Sequence, residues 1–566
     1  MTTLPATAAL SGTIANPVLP GFHPDPSILR VGDDYYLATS TFEWCPGVVL
    51  HHSRDLVRWR PLGGALTEAR LLDLTGRRDS AGVWAPCLSH KEGLFYLIFT
   101  NVENYAGGFW DTPNLVTTAP AVTGPWSDPV PLHSMGFDPS VFHDADGRSW
   151  VLSNLNDWRP GRNAFRGIVL QELDTDAMRL VGEARLVFTG TEAGVTEGAH
   201  LYRKDGWYYL MTAEGGTTWD HQVTVARSRR IEGPYEPDPA GPTLTSRPDP
   251  SLVLQKAGHG SLVETPGGEW FLAHLASRPL TERGRCVRGR ETALQRVAWS
   301  PEGWPRVEGA APREEVPGPA LEPHPWPEPP ETDGFDAAEL RPEWSTLRRH
   351  ASADWLSLEE RPGHLRIRGG QSPAGTGSPS LVARRVQHER CAMETVMEFR
   401  TRTFQQMAGL TAYYNTRHWH YLRIGFDEEE GMFARVLTCD RGRYREVGHR
   451  VVVEDWERCH MRAVIDGAEL RFGLSRDGRS WTDMGVVLDA GILSDDHAAE
   501  REGGEGGEGG EGGEGGHPDR EGNAGLVRAW GFTGAFLGLW VHDLAGTGCH
   551  ADFDHASYRG TERPDR

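Results

Sequence analysis

One pattern recurs five times in this chain and narrows the fold sharply. The segments DPSILRVGDDYYLA from Asp25, WAPCLSHKEGLFYLI from Trp84, DPSVFHDADGRSWVL from Asp138, EGAHLYRKDGWYYLM from Glu197 and HGSLVETPGGEWFLA from His259 share one register. Each opens on a polar or aromatic residue and continues as a short alternating strand. A turn rich in Gly, Asp or Glu follows, and an aromatic strand closes the unit: Tyr35-Tyr36, Phe95-Tyr96, Trp150, Tyr208-Tyr209, Trp270-Phe271. Period-two alternation broken by such turns reads as a β-hairpin. A hairpin repeated at a spacing of 54–62 residues reads as one unit per blade of a propeller. Five hairpins predict five blades over residues 14–312, after a disordered N-terminus at 1–13.

The repeat stops near Pro312. PREEVPGPALEPHPWPEPPE is proline-rich and acidic, and predicts an extended linker over 313–332. Beyond it, HLRIRGG, METVMEFRTRTFQQMAGLTAYYNT, YLRIGFDEE, HMRAVIDGAELRFGLSRDG and FTGAFLGLWVHDL alternate again, predicting a β-sandwich over 333–562. The overall class is therefore all-β: a five-bladed propeller followed by a sandwich. Within the sandwich, REGGEGGEGGEGGEGGHPDR holds no large apolar residue. It cannot repay its ordering entropy, which predicts a disordered loop at 501–520.

Composition limits the partners. The chain of 566 residues carries 58 Lys+Arg against 79 Asp+Glu, a net charge of -21. Such a surface argues against nucleic acid. No apolar run approaches the roughly 20 residues of a membrane span. The first residues lack the basic and apolar regions of a secretory signal, and the seven cysteines show no CxxC or metal spacing. Together these predict a cytoplasmic protein with reduced thiols.

In a propeller the first strand of each blade lines the central channel, so equivalent positions converge. Those positions hold Asp25, Trp84, Asp138, Glu197 and His259. Three carboxylates brought from distant parts of the chain repel one another, a cost that packing does not repay. Glycoside hydrolysis asks for such a set: an acid for the leaving oxygen, a base for water, and a third carboxylate that raises the pKa of the acid. Singly, Asp25 and Asp138 would read as Asp-Pro turn residues, Trp84 as core and His259 as a structural histidine; the shared register reverses those readings.

NPVLPGFHPDPSILR, YYLATSTFEWCPGV, GVWAP, GFDPSVFHD, VTEGAHLY, YYLMTAEGGTT, GHGSLVET, GRETALQ, TFQQMAGLTAYYNT and GFTGAFLG, in that order along nearly the whole chain, resemble the β-xylosidase branch of glycoside hydrolase family 43. The resemblance implies inversion at the anomeric carbon. It assigns Asp25 as general base, Glu197 as general acid and Asp138 as the group that tunes and orients the acid. Arg290 of GRET would reach the sugar and the carboxylates. Phe42, Trp84 and His259 would line the pocket, and Phe532 would lean over its rim from the sandwich. An inverting pair stands about 6.5–9.5 Å apart, with the acid raised in pKa and the base normal or lowered.

The expected activity is release of xylose from the non-reducing end of xylo-oligosaccharides by an exo-acting β-1,4-xylosidase. An α-L-arabinofuranosidase, alone or as a second activity, is the rival within the class. A non-catalytic carbohydrate-binding propeller is the rival outside it, and would have lost at least one carboxylate. No cofactor is required and no metal ligands are assigned. In some relatives the histidine matching His259 lies near a channel cation such as calcium, and the resemblance leaves open whether this chain binds one. A homo-oligomer is compatible with the family.

Overall fold

The computed structural model describes residues 12–105, 109–499 and 531–561. The expected disorder at the extreme N-terminus falls outside them except for its last two residues, and Thr13 already opens a strand. The Gly/Glu loop at 501–520 lies wholly outside the described residues.

The first half folds as five antiparallel sheets, each a meander of four strands, with one short extra strand in the fourth. Their innermost strands are Ser27–Val31, Gly82–Lys91, Ser140–His143, Glu197–Lys204 and Gln255–Glu264. The repeated hairpin is the inner pair of each blade. In blades 2 and 4 its turn is two residues long, Glu92-Gly93 and Asp205-Gly206, joining Lys91 to Leu94 and Lys204 to Trp207. All four turn residues have positive φ, the backbone that matches strand twist in a tight hairpin.

Blades are held by apolar clusters between neighbouring faces. Ile28, Tyr35 and Leu37 of blade 1 pack with Val263, Phe271 and Ala273 of blade 5. Ile98 and Val116 of blade 2 meet Val141, Val151 and Leu173 of blade 3. The ring is fastened where chain start meets blade 5. The Asn16 amide donates to the carbonyls of Leu294 and Arg313 and accepts from the Leu294 N–H. Thr13–Ala15 pairs with Glu315–Pro317.

The proline-rich stretch is extended, and it is strapped to the propeller. The His324 N–H donates to Asp55 at 2.9 Å, and the Arg60 guanidinium stacks 3.9 Å over the Trp326 ring. Prolines deprive such a segment of ladder donors, so its order comes from outside contacts.

The second half is a sandwich of a nine-stranded and an eight-stranded sheet. The edge strand of the smaller sheet is Trp44–Cys45, supplied by a loop of blade 1 and paired to Ser345–Leu347. Trp44 stacks on Phe536 of the sandwich at 3.8 Å between ring centroids. One apolar cluster, including Phe22, Phe42, Trp84, Leu381, Tyr413 and Trp540, runs across both halves. Each such ring buries roughly 150–250 Å², so the halves share a core.

A buried charge network crosses the same boundary. Arg348 is fully buried and donates to the Arg77 carbonyl at 2.6 Å and to Asp79 at 2.7 Å. Glu43 beside it is pushed up to about 7 by burial, against the pull of Arg348. Arg348→Met leaves Asp79 and Glu43 without their counter-charge, which costs about 3–5 kcal/mol for a broken buried pair. Calorimetry should show a clearly lower unfolding temperature; an unchanged midpoint would contradict this account.

Candidate active site

The inner strands reach the channel mouth in an irregular backbone, and that irregularity aims the side chains. Asp25, Asp138 and His259 have φ of 55°, 53° and 49°, a left-handed conformation that costs a residue with a Cβ and concentrates at functional sites. In blades 2, 4 and 5 the inner pairing slips between Trp84 and Cys87, between Glu197 and His200, and on both sides of Gly258. Bulges of this kind turn a side chain out of the sheet. Gly198 has φ 58°, and a Cβ there would stand 2.9 Å from the His259 ring. Only glycine lets blades 4 and 5 approach so closely.

These devices deliver Asp25, Asp138, Glu197, His259, Arg290, Phe42, Trp84 and Phe532 to one cavity of about 240 Å³. All eight residues singled out in the sequence line it. Charged and aromatic groups meet in its lining: the Arg290 guanidinium lies 5.3 Å from the Phe42 ring and 5.6 Å from the Phe532 ring, and Phe137 is set edge-on to Trp84 at 5.2 Å.

Asp25 is 5 % exposed. Ser40 donates to one of its oxygens at 2.6 Å and Arg290 Nη1 to the other at 3.0 Å, with His259 Nδ1 3.8 Å away. Burial, the largest single influence, would raise this carboxyl. Arg290, His259 and the Ser40 hydroxyl together outweigh it and hold the group below its ordinary value. Glu197 goes the other way. Burial first, then the negative charge of Asp25, push it up to about 8, against the pull of Arg290. Asp138 is also raised, by burial and then by Glu197 and Asp25, although the Gly198 N–H donates to it. The Asp138–Glu197 pair therefore retains a proton where Asp25 is ionised.

Arg290 ties this set to the sandwich. It is 3 % exposed. Its Nε and Nη2 donate to the Phe532 carbonyl at 3.2 and 2.9 Å, and Nη1 also donates to Thr217 Oγ1 at 3.1 Å. The Phe532 N–H donates to Ser80 Oγ at 3.0 Å, while the Ser80 carbonyl accepts from the Trp84 indole at 2.9 Å. The Phe532 ring lies 6.0 Å from Phe42 and 5.7 Å from Trp84. Phe42, Trp84 and Phe532 thus form one continuous aromatic rim.

Several lining groups escaped the sequence reading. Thr217 lies in the quoted EGGTT and Phe137 in GFDPS, so their motifs were visible although their roles were not. Lys256, Asp495 and Asp496 gave no signal. Lys256 is buried and pairs with Asp496 at 2.6 Å across 240 residues of chain. Asp495 is raised to about 6, chiefly by burial.

His221 and His259 line the cavity and His200 lies near His259, all three buried. Calcium takes 6–8 oxygen ligands, whereas these rings offer nitrogens and the neighbouring Asp25 carboxylate is engaged by Arg290 and Ser40. This donor set fits calcium poorly.

Fold and pocket together define a class: a propeller whose blades present a carboxylate held low and another held high in pKa to one cavity. The chain belongs to the glycosyl hydrolases of family 43, whose model matches residues 14–305. A second model, the β-xylosidase C-terminal concanavalin A-like domain, matches residues 332–507. The chain is 43 % identical to a xylan 1,3-β-xylosidase of a Vibrio species, over 97 % of this chain and 99 % of that one. It is 43 % identical to xylosidase/arabinosidase 43B of Humicola insolens, over 97 % and 98 %. The crystal structure of a xylan β-1,4-xylosidase from Bacillus halodurans superposes with a TM-score of 0.90 at 46 % identity, covering 96 % of this chain and all of that one.

Proposed function

We propose that this chain is an inverting, exo-acting β-xylosidase that removes single xylose units from the non-reducing end of β-1,4-linked xylo-oligosaccharides. The observation that carries the reading is the opposed ionisation of Asp25 and Glu197 inside one small cavity. At neutral pH Asp25 is a carboxylate able to take a proton from water, and Glu197 is an acid able to give one to the leaving oxygen. Water attacks C1 from the Asp25 side as Glu197 protonates the departing oxygen. Burial and the charge of Asp25 keep the acid protonated, and Asp138, itself raised by burial and by Glu197, is assigned the role of tuning and orienting it. Arg290 bonds the base and offers its guanidinium toward the sugar hydroxyls. The cavity is below the roughly 300 Å³ of drug-sized pockets, which suits one pentose ring against the aromatic rim. Every proton in this scheme is moved by a side chain, so the reaction needs no cofactor.

The Bacillus halodurans relative carries the β-1,4 linkage in its name and the Vibrio relative the β-1,3 linkage. Rates on the two xylobiose isomers should favour the β-1,4 form. The Humicola relative's double name supports a second, weaker α-L-arabinofuranosidase activity, separable with paired nitrophenyl glycosides. Seven cysteines, six of them buried and none joined in a disulfide, support a reducing cytoplasmic setting.

Proton NMR of xylobiose hydrolysis tests the mechanism. α-Xylose should be the first anomer released; β-xylose first would exclude inversion. The pH profile gives a second test. The competent form has Asp25 ionised and Glu197 protonated. Glu197 is raised, so activity holds below its pKa and is lost as pH rises through about 8. Asp25 is lowered, so activity falls only when pH drops below the ordinary Asp value of about 3.9. The kcat/KM profile should be flat between these limbs, and an alkaline limb below pH 6 would be incompatible with the assignment.

A further inference from the structure

We propose that His418, Asp440 and His497 form a binding site for one divalent transition-metal ion of the zinc class, in the sandwich and apart from the catalytic carboxylates. The three residues come from separate elements. His418 opens the strand His418–Asp427, Asp440 ends the strand Gly431–Asp440, and His497 lies in the short helix Asp495–Ala499. Each offers a ligand atom, and all three atoms fall within 4.8 Å of one another. His497 Nε2 is 2.7 Å and His418 Nε2 3.8 Å from the same Asp440 oxygen.

The orientation of His418 is what distinguishes this cluster from an ordinary buried network. Asn415 Oδ1 lies 2.9 Å from His418 Nδ1 and accepts the Arg417 backbone N–H at 2.9 Å. An atom that accepts a backbone N–H is the carbonyl end of the amide, so His418 Nδ1 carries the ring proton. The lone pair is then on Nε2, which is buried without a hydrogen-bond partner in a side chain 1 % exposed. This nitrogen faces an anionic oxygen, a repulsive arrangement that a cation between them reverses. A histidine fixed through its other nitrogen by an amide or carboxylate is how proteins prepare imidazole ligands.

The donor set selects the metal. Two imidazoles and one carboxylate suit zinc and its neighbours, not magnesium or calcium. Metal–ligand bonds of 2.0–2.2 Å in a tetrahedron put ligand atoms about 3.3 Å apart. The separations from Asp440 of 2.7 and 3.8 Å bracket that value, and the two imidazole nitrogens lie within 4.8 Å of each other. The Asp440 side chain is 45 % exposed, which leaves an entry route and room for a water as fourth ligand.

The ion would fasten the pocket wall. His497 follows Asp495 and Asp496, which line the cavity, and Asp496 holds Lys256. On the other side Thr416, in the turn before His418, hydrogen-bonds Asp79, the neighbour of the Ser80 that anchors Phe532.

The test uses the full-length protein, stripped with chelator and titrated with cobalt(II), then with zinc. One equivalent of cobalt should give the visible absorption of a four-coordinate site, zinc should displace it, and the melting temperature should rise with occupancy. His418→Ala and Asp440→Asn should abolish the band. Asn415→Ala keeps all three ligands but frees the His418 ring, and should weaken binding by about 10–100-fold; it also serves if His418→Ala fails to fold. The proposal is overturned if the wild type gives no such band, if His418→Ala binds with the same stoichiometry and affinity, or if Asn415→Ala binds as tightly as wild type.

Discussion

Glu197→Gln should lower kcat on xylobiose by about 10²–10⁴-fold, the usual contribution of a general acid, while sparing most of the activity on 2,4-dinitrophenyl β-xyloside. The reason is the leaving group. A departing sugar alkoxide is a strong base and needs a proton as the bond breaks, whereas a dinitrophenolate departs without one. Gln keeps the size of the side chain and removes only the transferable proton. Glu197 is held protonated by burial and by Asp25, so the variant changes little in the resting charge of the pocket and should fold normally. The two substrates should also part in their pH dependence: the alkaline limb near 8 should vanish from the aryl xyloside profile of the variant. Equal losses on both substrates would remove Glu197 from the role of acid.

Asp25→Asn should be as severe on xylobiose and, unlike Glu197→Gln, equally severe on the dinitrophenyl substrate. No leaving group relieves the need to activate water, so the loss, about 10²–10⁴-fold for a general base, is common to both. Two further effects follow from the contacts of Asp25. Its charge is the second largest influence raising Glu197, so the alkaline limb of residual activity should move to lower pH. The acid limb set by Asp25 itself should disappear. Arg290 loses the anion at 3.0 Å but keeps Thr217 and the Phe532 carbonyl, so the melting temperature should fall while the chain still folds. A variant that loses activity on xylobiose alone would show that Asp25 is not the base.

Both predictions concern a pocket that the propeller alone does not complete. Arg290 bonds the base with one nitrogen and the sandwich backbone at Phe532 with two others. The strand Trp44–Cys45, two residues past Phe42, is built into the sandwich sheet. Displacement of the sandwich would therefore disturb the base, its guanidinium partner and the aromatic rim together. That coupling gives a physical reason for a chain-end enzyme to carry a second domain that contributes no carboxylate to the acid–base pair.

How much of this was legible in the chain follows the range of the forces involved. Hairpins announce themselves locally, because alternation, turn residues and closing aromatics lie within about 15 residues of one another. Their repetition was enough to read five blades, and the shared register was enough to bring Asp25, Asp138 and Glu197 to one axis. The roles of Arg290 and Phe532 came from a family resemblance, since nothing in RCVRGRETALQ or GFTGAF marks either residue as facing a pocket. Long-range pairings left no local trace. The insertion of Trp44–Cys45 into a sheet three hundred residues on and the Lys256–Asp496 pair depend on how two finished domains dock, and the meeting of His418, Asp440 and His497 on how distant elements close within the sandwich. Periodicity along one chain thus determined the architecture and the acidic triad by itself. The direction in which each carboxyl ionises was decided only in the folded protein, because burial and the distance to Arg290 exist only there.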